Sequence, residues 1–167
     1  MTKEKSALEK LLDLLPGFHG YKAKEYLRED DQLIREYVYN ILADSVRNIE
    51  NSIARASTYD FNSAEILNEY LRDLRLLMDK IRWAEHGYSP HYDLVKVKNE
   101  DLEKIREIDE KLVSIAIDIK NKSVEILNDS ELGNPLRPKI NELKNLTSRV
   151  REIIFEREKQ IKGWGGK

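Results

Sequence analysis

Histidine side chains are the first residues in this chain that could do chemistry, and the chain has three of them. His86 and His91 stand five residues apart with Glu85 beside them, and imidazole and carboxylate groups are common ligands of transition metals. A di-iron helical bundle would also need a glutamate three residues before its histidines, and none of the three has one. His86, His91 and Glu85 are therefore candidate metal ligands, with ordinary surface residues as the alternative, and the sequence predicts no cofactor.

Nucleophilic catalysis has little support in the sequence. There is no cysteine, and no serine lies in a Gly-x-Ser-x-Gly setting. No glycine-rich phosphate loop is present. The many carboxylates alternate with apolar positions, which is typical of solvated helix faces. We therefore expect a protein that is not an enzyme and whose ionised side chains remain in water.

Aromatic side chains gather in two glycine-containing connections, one near residue 18 and one near residue 88. Aromatic residues at a bundle end either cover the core or bind a partner, since their rings are apolar and their polar tips reach water. The second interpretation predicts a protein-binding patch made of Phe18, Tyr21, Trp83, Tyr88 and Tyr92.

A basic segment ends the chain. Residues 137–167 hold nine lysines and arginines against four acids. Such a face could meet an anionic membrane or nucleic acid, or it could pair with acids elsewhere in the bundle. The electrostatic candidates are Arg149, Arg151, Arg157 and Lys159.

The composition limits the choice of partners. With 29 basic and 31 acidic residues the net charge is −2, so the whole chain has no field suited to a polyanion and nucleic acid is disfavoured. No apolar run reaches the ~18–20 residues that cross a bilayer, and the first residues do not resemble a secretory signal. We expect a cytoplasmic protein, with peripheral attachment to a membrane as the alternative. Glutamine is scarce, which is typical of a thermophile, although the many asparagines argue against one.

Leucine, isoleucine and valine recur at alternating three- and four-residue steps, which predicts amphipathic helices. Proline and glycine place the boundaries. The predicted helices cover about 3–15, 21–57, 63–84, 99–129 and 135–162, with a long central loop at 85–98.

Four apolar stripes of similar length predict a single all-α domain over residues 1–167. The fold would be an antiparallel four-helix bundle of two helical hairpins, preceded by a short N-terminal helix. The alternative is an extended coiled coil in which a second copy completes the burial, so a homodimer is one candidate assembly.

Two loop motifs carry a resemblance to a known family. Residues 15–25 (LPGFHGYKAKE) and 81–88 (IRWAEHGY), followed by 93–97 (DLVKV) and 100–102 (EDL), resemble the loop motifs of an uncharacterised prokaryotic family of helical proteins. The resemblance covers about residues 14–120. It implies an all-helical fold and at most a partner, a membrane-associated scaffold protein of the stomatin-like (SPFH) type, and it implies no catalytic residue.

Overall fold

The computed structural model describes residues 4–22, 26–83 and 98–164, with side chains described as far as residue 161. Within these ranges the chain forms helices and no strand, so the predicted all-α class is confirmed. The five helices are α1 (Ala7–Leu14), α2 (Leu27–Ala56), α3 (Phe61–Trp83), α4 (Asn99–Leu132) and α5 (Arg137–Trp164).

The helix boundaries follow local capping chemistry. Ser6 and Glu9 form a capping box at the start of α1, in which each side chain accepts a hydrogen bond from the other residue's backbone N–H. Gly133 ends α4 in the left-handed conformation that glycine tolerates best. α2 begins at Leu27 rather than near residue 21, and residues 15–22 instead form a loop whose Phe18 and Tyr21 side chains are buried.

α2 and α3 run in opposite directions, and so do α4 and α5. α3 runs antiparallel to α2, because Glu50 forms an ion pair with Arg75 and, nearer the start of α2, Arg35 donates a hydrogen bond to the Arg82 carbonyl. The second hairpin follows the same rule, since Asp109 of α4 meets Arg157 near the end of α5. α4 packs extensively against both α2 and α5, and α1 lies against α4.

The hairpins lie side by side with α2 and α4 parallel. Asp44 pairs with Lys120 and, further along both helices, Arg55 pairs with Glu131. Residue numbers increase in the same direction along the two helices, so α2 and α4 are parallel. The arrangement therefore differs from a bundle in which every neighbouring pair is antiparallel. α3 and α5 also contact each other, less extensively than the other long helices do.

One continuous apolar core runs between the long helices, as the periodic pattern predicts. Polar residues enter it at several places, including single serines of α2, α3 and α4. At mid-height the Tyr70 and Thr147 hydroxyls lie 2.8 Å apart and join α3 to α5. Near the start of α2, several charged side chains are buried, which contradicts the expectation that ionised groups stay in water.

Candidate functional site

The predicted aromatic patch is not a single exposed surface. Phe18 and Tyr21 are buried, with 5% and 0% of their surface exposed, whereas Trp83 is 71% exposed. Tyr88 and Tyr92 lie outside the described residues. The loop before α2 turns its rings into the core, so Phe18 and Tyr21 fill the bundle end instead of facing a partner.

The loop reaches the interior through unusual backbone geometry. Gly17 and Gly20 have positive φ angles of 85° and 68°, and Tyr21 shares this left-handed conformation with φ of 59°. A non-glycine residue pays a steric cost there, which the surrounding contacts must offset. The rings of Phe18 and Tyr21 meet edge to face with their centroids 5.4 Å apart.

Two helices hold the loop backbone by side-chain hydrogen bonds. The buried Asp30 carboxylate accepts from the backbone N–H groups of His19 (2.8 Å) and Tyr21 (2.9 Å). The His19 ring nitrogen Nδ1 also lies 3.2 Å from the same carboxylate. From α4, Arg106 Nε donates to the Gly20 carbonyl at 2.8 Å. Groups that a buried loop would otherwise leave unpaired are thereby satisfied.

The Tyr21 hydroxyl enters a buried ionic cluster. It donates to one oxygen of Asp109 and accepts from Arg157 Nη2 at 3.2 Å. Arg157 Nε donates to the other Asp109 oxygen at 2.6 Å. Both carboxylate oxygens thus receive a donor, which suits an ionised Asp109.

Asp31 extends the cluster across the bundle. One oxygen lies 2.7 Å from Arg157 Nη1, and the other accepts from Arg35 Nε at 3.0 Å. Arg35 Nη1 then donates to the Arg82 carbonyl at the end of α3 (3.2 Å). The buried ionic cluster, defined as Tyr21, Asp31, Arg35, Asp109 and Arg157, therefore joins the loop to all four long helices.

The charges in the cluster balance, with two aspartates and two arginines. Burial raises the pKa of Asp109, opposed by the Arg157 cation and the Tyr21 hydroxyl. Burial alone would lower the pKa of Arg157, but the carboxylates of Asp109 and Asp31 outweigh it and raise that pKa further. Since its members direct their donors and acceptors at one another, the arrangement anchors the loop and fixes the bundle end.

The sequence interpretation missed this cluster, although a signal was present. Arg157 stands three residues after Ile154 and four before Ile161, so it occupies a core position of the α5 stripe. A charged residue in core register is a sign of a buried ion pair. The expectation that Arg157 is an exposed electrostatic residue is wrong, since its side chain is 8% exposed.

The other electrostatic candidates face outward. Arg149, Arg151 and Lys159 are all exposed on α5. Arg149 borders a groove between α4 and α5 that has a volume of about 400 Å³.

A cation–aromatic contact lies where α3 ends, with Arg82 and Trp83 exposed and Tyr39 half-buried against the core. The Arg82 guanidinium carbon is 4.9 Å from the ring centre of Tyr39 and 5.2 Å from that of Trp83. We call Tyr39, Arg82 and Trp83 the α3-end surface. Of the predicted patch, only Trp83 belongs to it among the residues that the structure describes.

The candidate metal ligands His86, His91 and Glu85 lie outside the described residues. In the parts of the chain that are described, no group of three or more histidine, aspartate or glutamate side chains gathers as a metal site would require.

No family model matches the chain, and neither a curated protein nor a solved structure shows significant similarity to it. In the described ranges no helix is both long and apolar enough to cross a membrane.

Proposed function

We propose that this protein is a non-enzymatic helical interaction protein that binds a protein partner through the α3-end surface. The observation that carries the proposal is that the Arg82 guanidinium contacts the rings of both Tyr39 and Trp83, with Trp83 largely exposed. Tryptophan, tyrosine and arginine are the residue types most enriched at the energetic centres of protein interfaces.

A hydrogen bond from a buried side chain also holds the backbone of the α3-end surface. The Arg82 carbonyl accepts a hydrogen bond from Arg35, whose other nitrogens are held by Asp31. This bond fixes the backbone at the end of α3, so the segment that carries the surface loses less conformational freedom when a partner binds, and preorganisation raises affinity. In this proposal Phe18 and Tyr21 act indirectly, by filling the bundle end beneath the surface.

We also infer that the four long helices close into one four-helix bundle made of two antiparallel hairpins. The contact between α3 and α5 supports this closure, because it completes a ring in the order α2, α4, α5, α3. α1 then lies outside the ring against α4.

The identity of the partner follows from the sequence resemblance alone, and it is part of the proposal. A stomatin-like membrane-associated scaffold protein is the first partner to test, with the protein itself acting in the cytoplasm or at the membrane surface. The α3-end surface does not depend on this identity.

The test is site-directed photocrosslinking in the native cell, with a photoreactive amino acid replacing Trp83 and, as a matched control, Phe61. Phe61 is 66% exposed at the opposite end of α3. We expect a discrete crosslinked protein from position 83 and not from position 61. The purified partner should then bind wild type and Phe61→Ala alike, and bind Trp83→Ala at least ~10-fold more weakly. Equal binding by the three proteins would refute the proposal.

Attachment of the basic α5 to a membrane or nucleic acid is the alternative function. It has weaker support than the sequence suggests, because Arg157 is buried and Lys139 pairs with Asp129 at 2.7 Å. Binding to anionic vesicles or DNA that falls steeply with salt would support it.

A further inference from the structure

The outer face of α3 has an apolar centre. Leu76 and Trp83 are seven residues apart, so they lie in line on the side of α3 that points away from its buried residues. Their side chains are 69% and 71% exposed. Two large apolar side chains exposed in line on one helix face form a patch of the kind that marks an interaction site.

Each flank of this face carries one acid and one base. On one flank Arg72 precedes Asp79 by seven residues, and on the opposite flank Asp73 precedes Lys80 by seven residues. All four side chains are exposed. Within the described residues α3 makes its ion pair through Arg75, so these four charges are not paired within their own chain. They are therefore available to a molecule that covers the apolar centre.

We propose that the outer face of α3 is a homodimer interface, in which α3 packs antiparallel against α3 of a second copy with Leu76 near the two-fold axis. This inference rests on the proposed function, because Trp83 belongs to both surfaces, and it names a second copy as the partner. In such an isologous contact each flank of the helix lies against the same flank of the second copy. A face can therefore complement itself only if each flank carries both signs of charge, as both flanks of α3 do.

The spacing of the charges fits this alignment. Arg72 lies four residues before Leu76 and Asp79 lies three residues after it, so the two face each other across the axis. On the opposite flank Asp73 lies three residues before Leu76 and Lys80 four residues after it. Each pairing is met to within one residue, or about 1.5 Å along the helix. The symmetry repeats both pairings, whereas a parallel alignment would set every charge level with its own copy.

The apolar centre and the charges contribute differently. Leu76 meets Leu76 of the second copy, and Trp83, seven residues from the axis, lies level with Glu69 of the second copy at each end of the contact. Exposed ion pairs add little affinity each, so the apolar contact supplies most of the attraction. The charges decide which surface is accepted and in which direction, because like charges held together are costly.

The first test reverses charges on the full-length protein, singly and then together. Arg72→Glu and Asp79→Lys each set like charges against one another, whereas Arg72→Glu/Asp79→Lys restores opposite charges in both copies. We expect the wild type and the double variant to dimerise in sedimentation equilibrium at about 5–200 µM. Each single reversal should raise the dissociation constant at least ~10-fold. Arg149→Glu, at an exposed position of α5, is the matched control and should leave it unchanged.

The second test uses a single cysteine to determine the direction of the pairing, since the chain has no cysteine of its own. Because residue 76 lies near the two-fold axis, Leu76→Cys should form a disulfide with its own copy under mild oxidation. Trp83→Cys should not, because the two copies of residue 83 would lie about 21 Å apart along the helix, too far for a disulfide.

Three outcomes would overturn the inference. They are a wild type that is monomeric throughout this range, a dimer that tolerates the single reversals or is not restored by the double variant, and a disulfide at residue 83 instead of residue 76. Far-ultraviolet circular dichroism identifies any reversal that fails to fold, and the two cysteine variants then decide the question.

The same measurements separate this inference from the proposed function. If the wild type is monomeric and position 83 crosslinks to a different protein, the inference fails and the proposed function stands. If a charge-dependent dimer forms equally well with Trp83→Ala, the antiparallel pair stands and the α3-end surface is not the binding site.

Discussion

The Tyr21 hydroxyl donates a hydrogen bond to the Asp109 carboxylate, although 88 residues separate the two in the chain. The bond is buried, and Arg157 contacts both of its members. A loop that precedes α2 is thereby tied to the first third of α4 and the last turns of α5. The contact implies that the loop is part of the core rather than a connection on the surface.

Replacing Tyr21 with phenylalanine removes this bond and keeps the ring. We expect the free energy of unfolding to fall by about 1–3 kcal/mol, because the Asp109 carboxylate loses a buried donor. Tyr59→Phe is the control, since the Tyr59 hydroxyl donates to the Asn134 carbonyl at an exposed site and its loss should cost less than about 0.5 kcal/mol. Urea unfolding measures both, and equal losses would contradict the assigned role of Tyr21.

Arg157→Met should be the most destabilising substitution in the cluster. It leaves two buried carboxylates without their shared cation, and we expect a loss of about 3–5 kcal/mol. Arg149→Met, on the exposed side of α5, should cost less than about 0.5 kcal/mol.

A double variant separates two effects, the loss of the Asp109–Arg157 ion pair and the burial of an unpaired Asp109 carboxylate. Asp109→Leu combined with Arg157→Met removes both members and leaves Asp31 paired with Arg35. We expect it to be more stable than Arg157→Met alone, because one uncompensated carboxylate is gone. A double variant that is less stable than Arg157→Met would contradict this expectation, and the difference in unfolding free energy between wild type and the double variant measures the net contribution of the pair.

The loop glycines offer a comparison between backbone strain and packing. Both Gly17 and Gly20 have positive φ, so alanine at either position should cost about 1–2 kcal/mol. A Cβ at Gly20 would lie 2.5 Å from Leu8 Cδ1, whereas one at Gly17 meets no atom within 4 Å. Gly20→Ala should therefore cost more in thermal or urea unfolding. Adding Leu8→Ala should lessen that extra cost, and additive losses would argue against the contact between α1 and the loop.

Because the Tyr70 hydroxyl is buried, we expect the protein to lose stability at high pH. Burial raises the pKa of its hydroxyl above the ordinary value, opposed by the hydrogen bond with Thr147. The unfolded phenol ionises near pH 10, so the contribution of Tyr70 is complete below that pH and falls by about 1.4 kcal/mol per pH unit above it.

The matched substitution is Tyr70→Phe. At pH 7 it should cost about 1 kcal/mol through the lost hydrogen bond to Thr147. Above pH 10 the gap between wild type and variant should narrow, because only wild type carries the ionising group. A gap that stays constant from pH 8 to pH 11 in urea unfolding would contradict the buried position of the hydroxyl.

The helices could be predicted from sequence because each is marked by apolar residues that recur every three or four positions. The stripe in α4 needs only the spacing of its isoleucines and leucines, and its observed end at Leu132 differs from the prediction by a few residues. The start of α2 could not be placed as well, since the loop before it is held by Asp30 and Arg106, and the latter is distant in sequence.

The ionic cluster was missed because a charged residue between two apolar ones was assigned to a solvated face. Asp31 stands four residues after Leu27 and three before Ile34, which is a core position, and the same holds for Asp109 and Arg157 in their own helices. The core position of each charged residue could be recognised from the sequence of its own helix. That the three residues meet depends on which helices become neighbours, and no local period contains that information. The parallel contact of α2 with α4 escaped prediction for the same reason.

The position of Arg157 between Asp31 and Asp109 also restricts how the helices can slide past one another. If α5 moved by one helical turn, about 5.4 Å, much of its leucine and isoleucine surface would still reach the interior. The guanidinium would then be buried among apolar neighbours, and two aspartates would remain without it, at a cost of several kcal/mol. Misaligned packings that apolar contacts alone would tolerate are thereby penalised, so this ionic contact selects one alignment of the helices even if it adds little to the total stability.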